Sequence, residues 1–331
     1  MSDRGGRTRT PAGRSRGIGA RGPRAGASRK AARGTVRIGT SRASAASLGA
    51  DPFDHPSTAA LIARGLEEDV GRGDLTTALL VPAIARDTGA FVAREDLVVA
   101  GLPLLAKVYE ALGAGQIEVE VLLPEGARAL AGTVLARATG PLRVLLSGER
   151  LALNLVAALS GTATLTSRYV EAVAGTKAAI VDTRKTLPGM RLLQKWAVRA
   201  GGGRNHRFGL DDGILIKDNH IAAVGSVAAA VARARAGAHH LLKIEVECDR
   251  PAQVDEALAA GADAVLLDNM TPADVRRCVE RIGRRARVEV SGGVSLETVR
   301  AFAKAGAELI SIGRLTHSAP GVDIGFDLER A

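Results

Sequence analysis

Short apolar runs that end on glycine or a polar residue recur along the chain, and their spacing lays out its elements. Between 51 and 147 the runs GAFVAR (89–94), DLVVAG (96–101), QIEVEVLL (116–123) and TVLARATG (133–140) alternate or stay briefly apolar between Gly and Pro breaks. That is a strand pattern. LPLLAKVYEALG (102–113) has helical spacing between two of them, so a compact α+β unit is expected here. Residues 147–175, rich in Ala and Leu with apolar positions three and four apart, predict one or two amphipathic helices.

A regular rhythm follows. AAIVDTRK (178–185), GILIKDNH (213–220), LLKIEVEC (241–248), AVLLDN (264–269), RVEVSGG (287–293) and LISIGR (309–314) are strand-length apolar runs, most of them separated by helical sequence. Glu247, Asp268, Ser291 and Gly313 mark successive run ends 21, 23 and 22 residues apart, the length of a βα unit. Continuous apolar strands alternating with helices predict a parallel sheet, flanked by helices or closed into a barrel. The polar run ends then converge on the carboxyl face, where such folds place their chemistry.

Charge changes the picture once it is located. The 331 residues carry +10, but residues 1–50 hold twelve Arg or Lys against Asp3, which makes +11 and leaves −1 for the rest. The basic signal therefore belongs to the tail. Its Arg/Gly/Ser/Ala composition without apolar periodicity predicts disorder. An inert extension, an organelle-targeting segment and an RNA-binding arm are the readings of it, and the lack of interleaved aromatics speaks against base stacking. No run of 18 apolar residues suggests a membrane span. Cys248 and Cys278 show no metal or redox spacing and point to a reduced, cytoplasmic setting.

From Thr183 to Leu210 there is no acid, yet Arg184, Lys185, Arg191, Lys195, Arg199, Arg204 and Arg207 lie there with His206. Arg191, Lys195 and Arg199, four apart, read as a solvated helix face. Arg184 and Lys185 follow a buried strand, and Arg207 sits beside a glycine-rich turn. Gathering such charges in a recess destabilises a fold by several kcal/mol unless an anion is bound. Lys217 ends the next run, as a Schiff-base nucleophile or as another anion clamp, and the surrounding cations favour the clamp. Glu247 and Asp268 serve either as salt-bridge partners or as ligands for sugar hydroxyls or a Mg²⁺-bound phosphate ester. SGG (291–293) and IGR (312–314) let backbone N–H groups approach a phosphate.

The motifs EEDVGRGDLTT, GERLALNLVAALSGTAT, DTRKTLPGMRLLQKWAVRAGGGRNHRFGLDDGILIKDNHI, EVEC, LLDN, SGG and THSAPGVDIGFDL run in order from about residue 55 to 328. Together they resemble the quinolinate phosphoribosyltransferase family of NAD biosynthesis. The resemblance implies an α/β fold with an N-terminal α/β sandwich domain (51–148), joined by the C-terminal segment 316–331. A six-stranded α/β barrel domain (149–315) would carry the site. It implies quinolinate and phosphoribosyl pyrophosphate as substrates, Mg²⁺ as cofactor held through Glu247 and Asp268, and a homodimer in which Arg150 reaches the partner's site. Arg184, His206 and Arg207 would hold quinolinate, with Lys185 and Lys217 near its carboxylates and the pyrophosphate. Glu247 and Asp268 would take the ribose, and Ser291, Gly292, Gly293 and Gly313 the 5′-phosphate. Thr183 and Ile312 complete the substrate-binding set, and Lys185, Lys217, Glu247 and Asp268 form the catalytic set. Arg314 departs from the small residue expected after the last strand's glycine. A relative acting on another pyridine acid, or a nucleic-acid role of the tail, are the alternatives.

Overall fold

A computed structural model of the protein describes residues 51–113 and 115–329. The basic tail expected at 1–50 lies outside them. Helices α1 (Pro56–Asp69) and α2 (Leu75–Leu80) come first. Each begins where a side chain satisfies a free backbone N–H: His55 accepts from Ser57, with Pro56 at the first helical position, and Asp74 accepts from Thr77 at 2.9 Å. Then follow β1 (Arg86–Ala93), β2 (Leu97–Val98), α3 (Pro103–Gly113), β3 (Glu118–Val121), β4 (Arg128–Ala129) and β5 (Val134–Pro141).

Residues 142–172 form one helix, α4 (Leu142–Ala172), 31 residues long. Its internal glycines serve close approach and leave the helix intact. A Cβ at Gly161 would strike the Pro320 carbonyl, and one at Gly148 would lie 2.7 Å from the Tyr109 ring. Leu145, Val156 and Leu159 of this helix enter the N-terminal core, whereas Tyr169 enters the second core. The expected division at 148/149 therefore falls inside a helix that both cores share.

Beyond it lie β6 (Ala179–Val181), α5 (Arg191–Ala200), β7 (Ile214–Ile216), α6 (Asp218–Val224), α7 (Val227–Gly237) and β8 (Ile244–Cys248). Next are α8 (Pro251–Ala259), β9 (Ala264–Asp268), α9 (Pro272–Ile282), β10 (Arg287–Ser291) and α10 (Val299–Ala305). The last elements are β11 (Leu309–Ser311), α11 (Arg314–His317) and β12 (Ile324–Leu328).

Two main sheets result. The first is antiparallel, ordered β12-β1-β5-β3, so the last strand of the chain pairs with the first, Phe326 opposite Phe91. The second has six parallel strands ordered β6-β11-β10-β9-β8-β7. All six expected runs supply its strands. No ladder joins β6 to β7 among the described residues. The segment 204–207 spans that gap: the Arg204 N–H donates to Ile180 O on β6 at 2.8 Å, and Arg207 Nη1 donates to Gly213 O beside β7 at 2.9 Å. The α/β barrel is thus closed on one side by an irregular strand.

Parity along β8 shows how the barrel is sorted. Ile244, Val246 and Cys248 are fully buried under the helices, and a fully buried Ile or Val contributes about 1.5–3 kcal/mol. Glu245 and Glu247, on the opposite face, are half-buried. The interior of this barrel therefore contains acids.

Candidate active site

The carboxyl ends of the parallel strands carry the expected polar positions. At the end of β6, Asp182 is fully buried and accepts from Lys195 Nζ at 2.5 Å, Asn205 Nδ2 at 2.6 Å and the His206 backbone N–H at 2.9 Å. Lys195 Nζ also donates to His206 O at 3.0 Å. Burial pushes the Asp182 carboxyl up, and Lys195 and the other donors oppose it. The water-facing placement read for Lys195 is corrected here. It turns inward because Asp182, one residue before the acid-free stretch, offers a buried counter-charge. Arg191 is also tied down, with Nε on Thr186 Oγ1 at 3.1 Å and Nη1 on Phe208 O at 3.2 Å. Arg199 lies over the Trp196 ring, 4.9 Å from its centre.

Beside this network opens a cavity of about 300 Å³ lined by Thr183, Lys185, Ser291, Gly292, Gly293, Ile312, Gly313 and Arg314, all expected site residues. Gly292 and Gly293 have φ of +83° and +63°, left-handed conformations that favour glycine, and both line the cavity. A Cβ on Gly292 would collide with the Asn269 side chain. Asn269 itself is held at φ +54°, the one non-glycine with positive φ among the described residues. Its N–H donates to Ser291 O at 3.0 Å, which locks the ends of β9 and β10 together. Ser295 and His317 also line the cavity. Reading run ends missed both, because they lie on the connections after β10 and β11. The signal for His317 was its place four residues, about one helical turn, beyond Gly313.

On the other side of the mouth, Arg184 is half-buried and its Nε is buried with no hydrogen-bond partner. Burial, and next the nearby Arg184 charge, pull the Arg207 pKa down. Two neighbouring guanidinium groups, one with an unused buried donor, suit a planar anion. His206 offers no free ring nitrogen beside them. Its Nδ1 accepts from the Arg207 N–H at 2.7 Å, and its Nε2 lies 3.1 Å from Glu245 Oε2.

Lys217, at the end of β7, is paired with Glu247 on β8. Asp268, opposite Ser291 in the β9–β10 register, accepts from Asn269 Nδ2 at 2.6 Å. Arg150 is exposed on α4 and, among the described residues, forms an ion pair with Glu149 at 3.9 Å. It does not line the cavity. A hollow of about 360 Å³ between the 69–76 turn and α4 is lined by Asp69 and Asp74 and by no cation. Its acidic lining would repel a polyanion, which leaves the strand-end cavity as the candidate site.

Comparison with known proteins places this geometry. The chain matches the Quinolinate phosphoribosyl transferase N-terminal domain over residues 74–160 and the C-terminal domain over residues 162–327. It is 47% identical over 272 residues to the nicotinate-nucleotide pyrophosphorylase [carboxylating] of Mycobacterium leprae, covering 81% of this chain and 95% of that one. The human protein of the same name is 37% identical over 275 residues, covering 82% and 91%. The crystal structure of NadC from Streptococcus pyogenes superposes with a TM-score of 0.79 at 37% identity, covering 86% of this chain and 100% of that one.

Proposed function

The chain belongs to the quinolinate phosphoribosyltransferase family, and from that premise we propose how the mouth of its barrel performs the reaction. The enzyme transfers the phosphoribosyl group of phosphoribosyl pyrophosphate to quinolinate with loss of CO₂, a step of NAD biosynthesis. The carrying observation is the Arg184–Arg207 pair, in a stretch without acids, beside a glycine-lined cavity.

In this reading the cavity holds the 5′-phosphate on the Gly292, Gly293 and Gly313 backbone, with Lys185 and Arg314 supplying charge and His317 a polar ring at its wall. Arg184 and Arg207 grip the two adjacent carboxylates of quinolinate by bidentate hydrogen bonds and so reject nicotinate. The pyridine nitrogen, already unprotonated, attacks the anomeric carbon as pyrophosphate departs, and no general base is required. Positive charge grows on the ribose ring, where Glu247 and Asp268 stabilise it. After transfer, the ring N⁺ stabilises the carbanion left when the 2-carboxylate leaves as CO₂.

Mg²⁺, when bound with the pyrophosphate of the substrate, would supply charge neutralisation for the leaving group. Asp268, with one close side-chain donor, has carboxylate capacity for that ion, whereas Glu247 is already balanced by Lys217. Lys217 thereby reads as a clamp, released to the leaving pyrophosphate when Glu247 takes a ribose hydroxyl.

A homodimer is part of the proposal. Leu75, Leu79, Leu80 and Ile84 are each more than three-quarters exposed on and after α2, an apolar patch that a second copy would cover. Arg150, without a cleft of its own, would then serve the neighbouring site. Cys248 and Cys278 are buried free thiols, as suits a reduced cytoplasm. Among the described residues no helix is long and apolar enough to cross a membrane. Incubating the full chain with quinolinate, phosphoribosyl pyrophosphate and Mg²⁺ should release CO₂ in step with pyrophosphate. Turnover of nicotinate in preference to quinolinate would overturn the assignment.

A further inference from the structure

Beneath the mouth, three ionisable side chains meet where the reaction has not called on them. His206 Nε2 lies 3.1 Å from Glu245 Oε2 and 3.5 Å from Glu289 Oε1. One atom from each of the three falls within 4.8 Å of the others. Glu289 is 1% exposed, and its Oε1 has no hydrogen-bond partner. Two carboxylates and an imidazole at these separations invite a divalent cation, but the ring forbids it. Because Nδ1 accepts from the Arg207 N–H at 2.7 Å, the neutral ring carries its hydrogen on Nε2. A metal-ligating histidine shows the reverse arrangement, donating through its second nitrogen. The trio therefore holds a proton.

Which carboxyl carries the extra proton follows from the groups around each. Glu245, from β8, receives the His206 Nε2–H and feels the Arg207 charge. Glu289, from β10, faces Glu245, His206 and the Ser311 hydroxyl of β11. Lys195, from α5, reaches the neighbourhood but is committed to Asp182. Two ionised carboxylates sharing a buried site repel strongly, so one binds a proton. Glu289 has no guanidinium beside it and no hydrogen-bond partner at Oε1, so the proton falls to it. The rival holder is His206, whose burial lowers its pKa but whose contacts with Glu245 and Glu289 raise it on balance.

We propose that Glu289 is a neutral carboxylic acid in the working enzyme and a positioning residue for the dicarboxylate site. Its O–H donates to Glu245, Glu245 accepts from His206 Nε2–H, and His206 Nδ1 accepts from the Arg207 N–H. This chain, running from the barrel floor to its mouth, holds the 206–207 corner. The proposal rests on the reading that Arg207 holds quinolinate. Burial, and next the neighbouring Glu245, push the Glu289 carboxyl up to about 7, so the proton is held below that pH and lost as pH rises through it. Loss places a second negative charge beside Glu245, breaks the donation, and adds repulsion beneath a dianionic substrate.

The test is infrared titration of the full-length enzyme, followed by quinolinate binding in the absence of phosphoribosyl pyrophosphate. The C=O stretch of a buried protonated acid should fade as pH rises through about 7 and be missing in E289Q. In E245Q, without the neighbouring charge, it should fade at lower pH. Quinolinate affinity should fall by about tenfold over that rise in the natural enzyme, one pKa unit of coupling, and stay flat in E289Q. No such band in the natural enzyme, or an equal pH slope in E289Q, overturns the proposal and puts the proton on His206. A normal band with no quinolinate binding at any pH would instead sink the reading of the mouth.

Discussion

Lys195 Nζ sits 2.5 Å from the Asp182 carboxylate, and both side chains are sealed from solvent, 4% and 0% exposed. This pair anchors the turn that presents His206 and Arg207. Removing one partner of a buried ion pair strands the other charge, at about 3–5 kcal/mol. K195M is therefore expected to lower the stability measured by urea unfolding by that amount. A change under 1 kcal/mol would mean that water reaches the pair.

Arg184 keeps a buried Nε without a partner. Two charge-assisted bonds to a carboxylate are worth roughly 3–6 kcal/mol, so R184A should lower kcat/KM for quinolinate by roughly 10²–10⁴-fold. R184K should recover little, since an ammonium lacks the planar fork. Near-normal kinetics would remove Arg184 from the site.

Gly292 occupies φ +83°, against the Asn269 side chain and 2.8 Å from its backbone nitrogen as measured from an added Cβ. G292A should raise the KM for phosphoribosyl pyrophosphate about tenfold or more while leaving the Kd for quinolinate alone within a few-fold. The split between the two substrates is the readout. Equal weakening of both would place Gly292 in general scaffolding.

Stability should also report on Glu289. Its folded-state value of about 7 stands above the ordinary 4.5, so the contribution is complete below about 4.5 and disappears as pH climbs through about 7. The loss is about 3 kcal/mol for that difference. E289Q cannot ionise, so its unfolding free energy relative to the natural chain should rise across this interval. Parallel stability curves would count against a shifted Glu289.

Leu79 and Leu80 are 83% and 76% exposed on α2. The double variant L79E/L80E should sediment as a monomer and lose activity, because Arg150 would no longer reach a second site. A dimer that survives the change must use another face.

Much of this was legible in the sequence, and the failures share a cause. Strand ends were found because a parallel sheet buries its strands on both faces, and GILIKDNH and AVLLDN record that directly. Glycines at 292, 293 and 313 were singled out because only backbone can approach so closely, and all three line the strand-end cavity. Lys195 was misplaced because helical spacing does not say which face meets a counter-charge, and Asp182 lies 13 residues away. Glu245 and Glu289 escaped because a search of run ends passes over acids in the middle of IEVEC and RVEVS. The cue was their parity with Glu247 and Ser291, which aims them into the barrel. β12 was implied by resemblance alone, since VDIGFDL has no clean alternation. The Phe326 ring that covers Gly89 belongs to tertiary structure.

The β12–β1 pairing has a consequence during synthesis. On the ribosome, β1 emerges with one edge vacant, and residues 324–328 that cover it follow only after every strand of the barrel. The barrel can assemble before β12 is made, but the antiparallel layer stays unfinished until β12 has emerged. A premature stop codon a few positions before 324 would therefore spare every residue of the catalytic mouth and still leave a sticky, half-closed molecule.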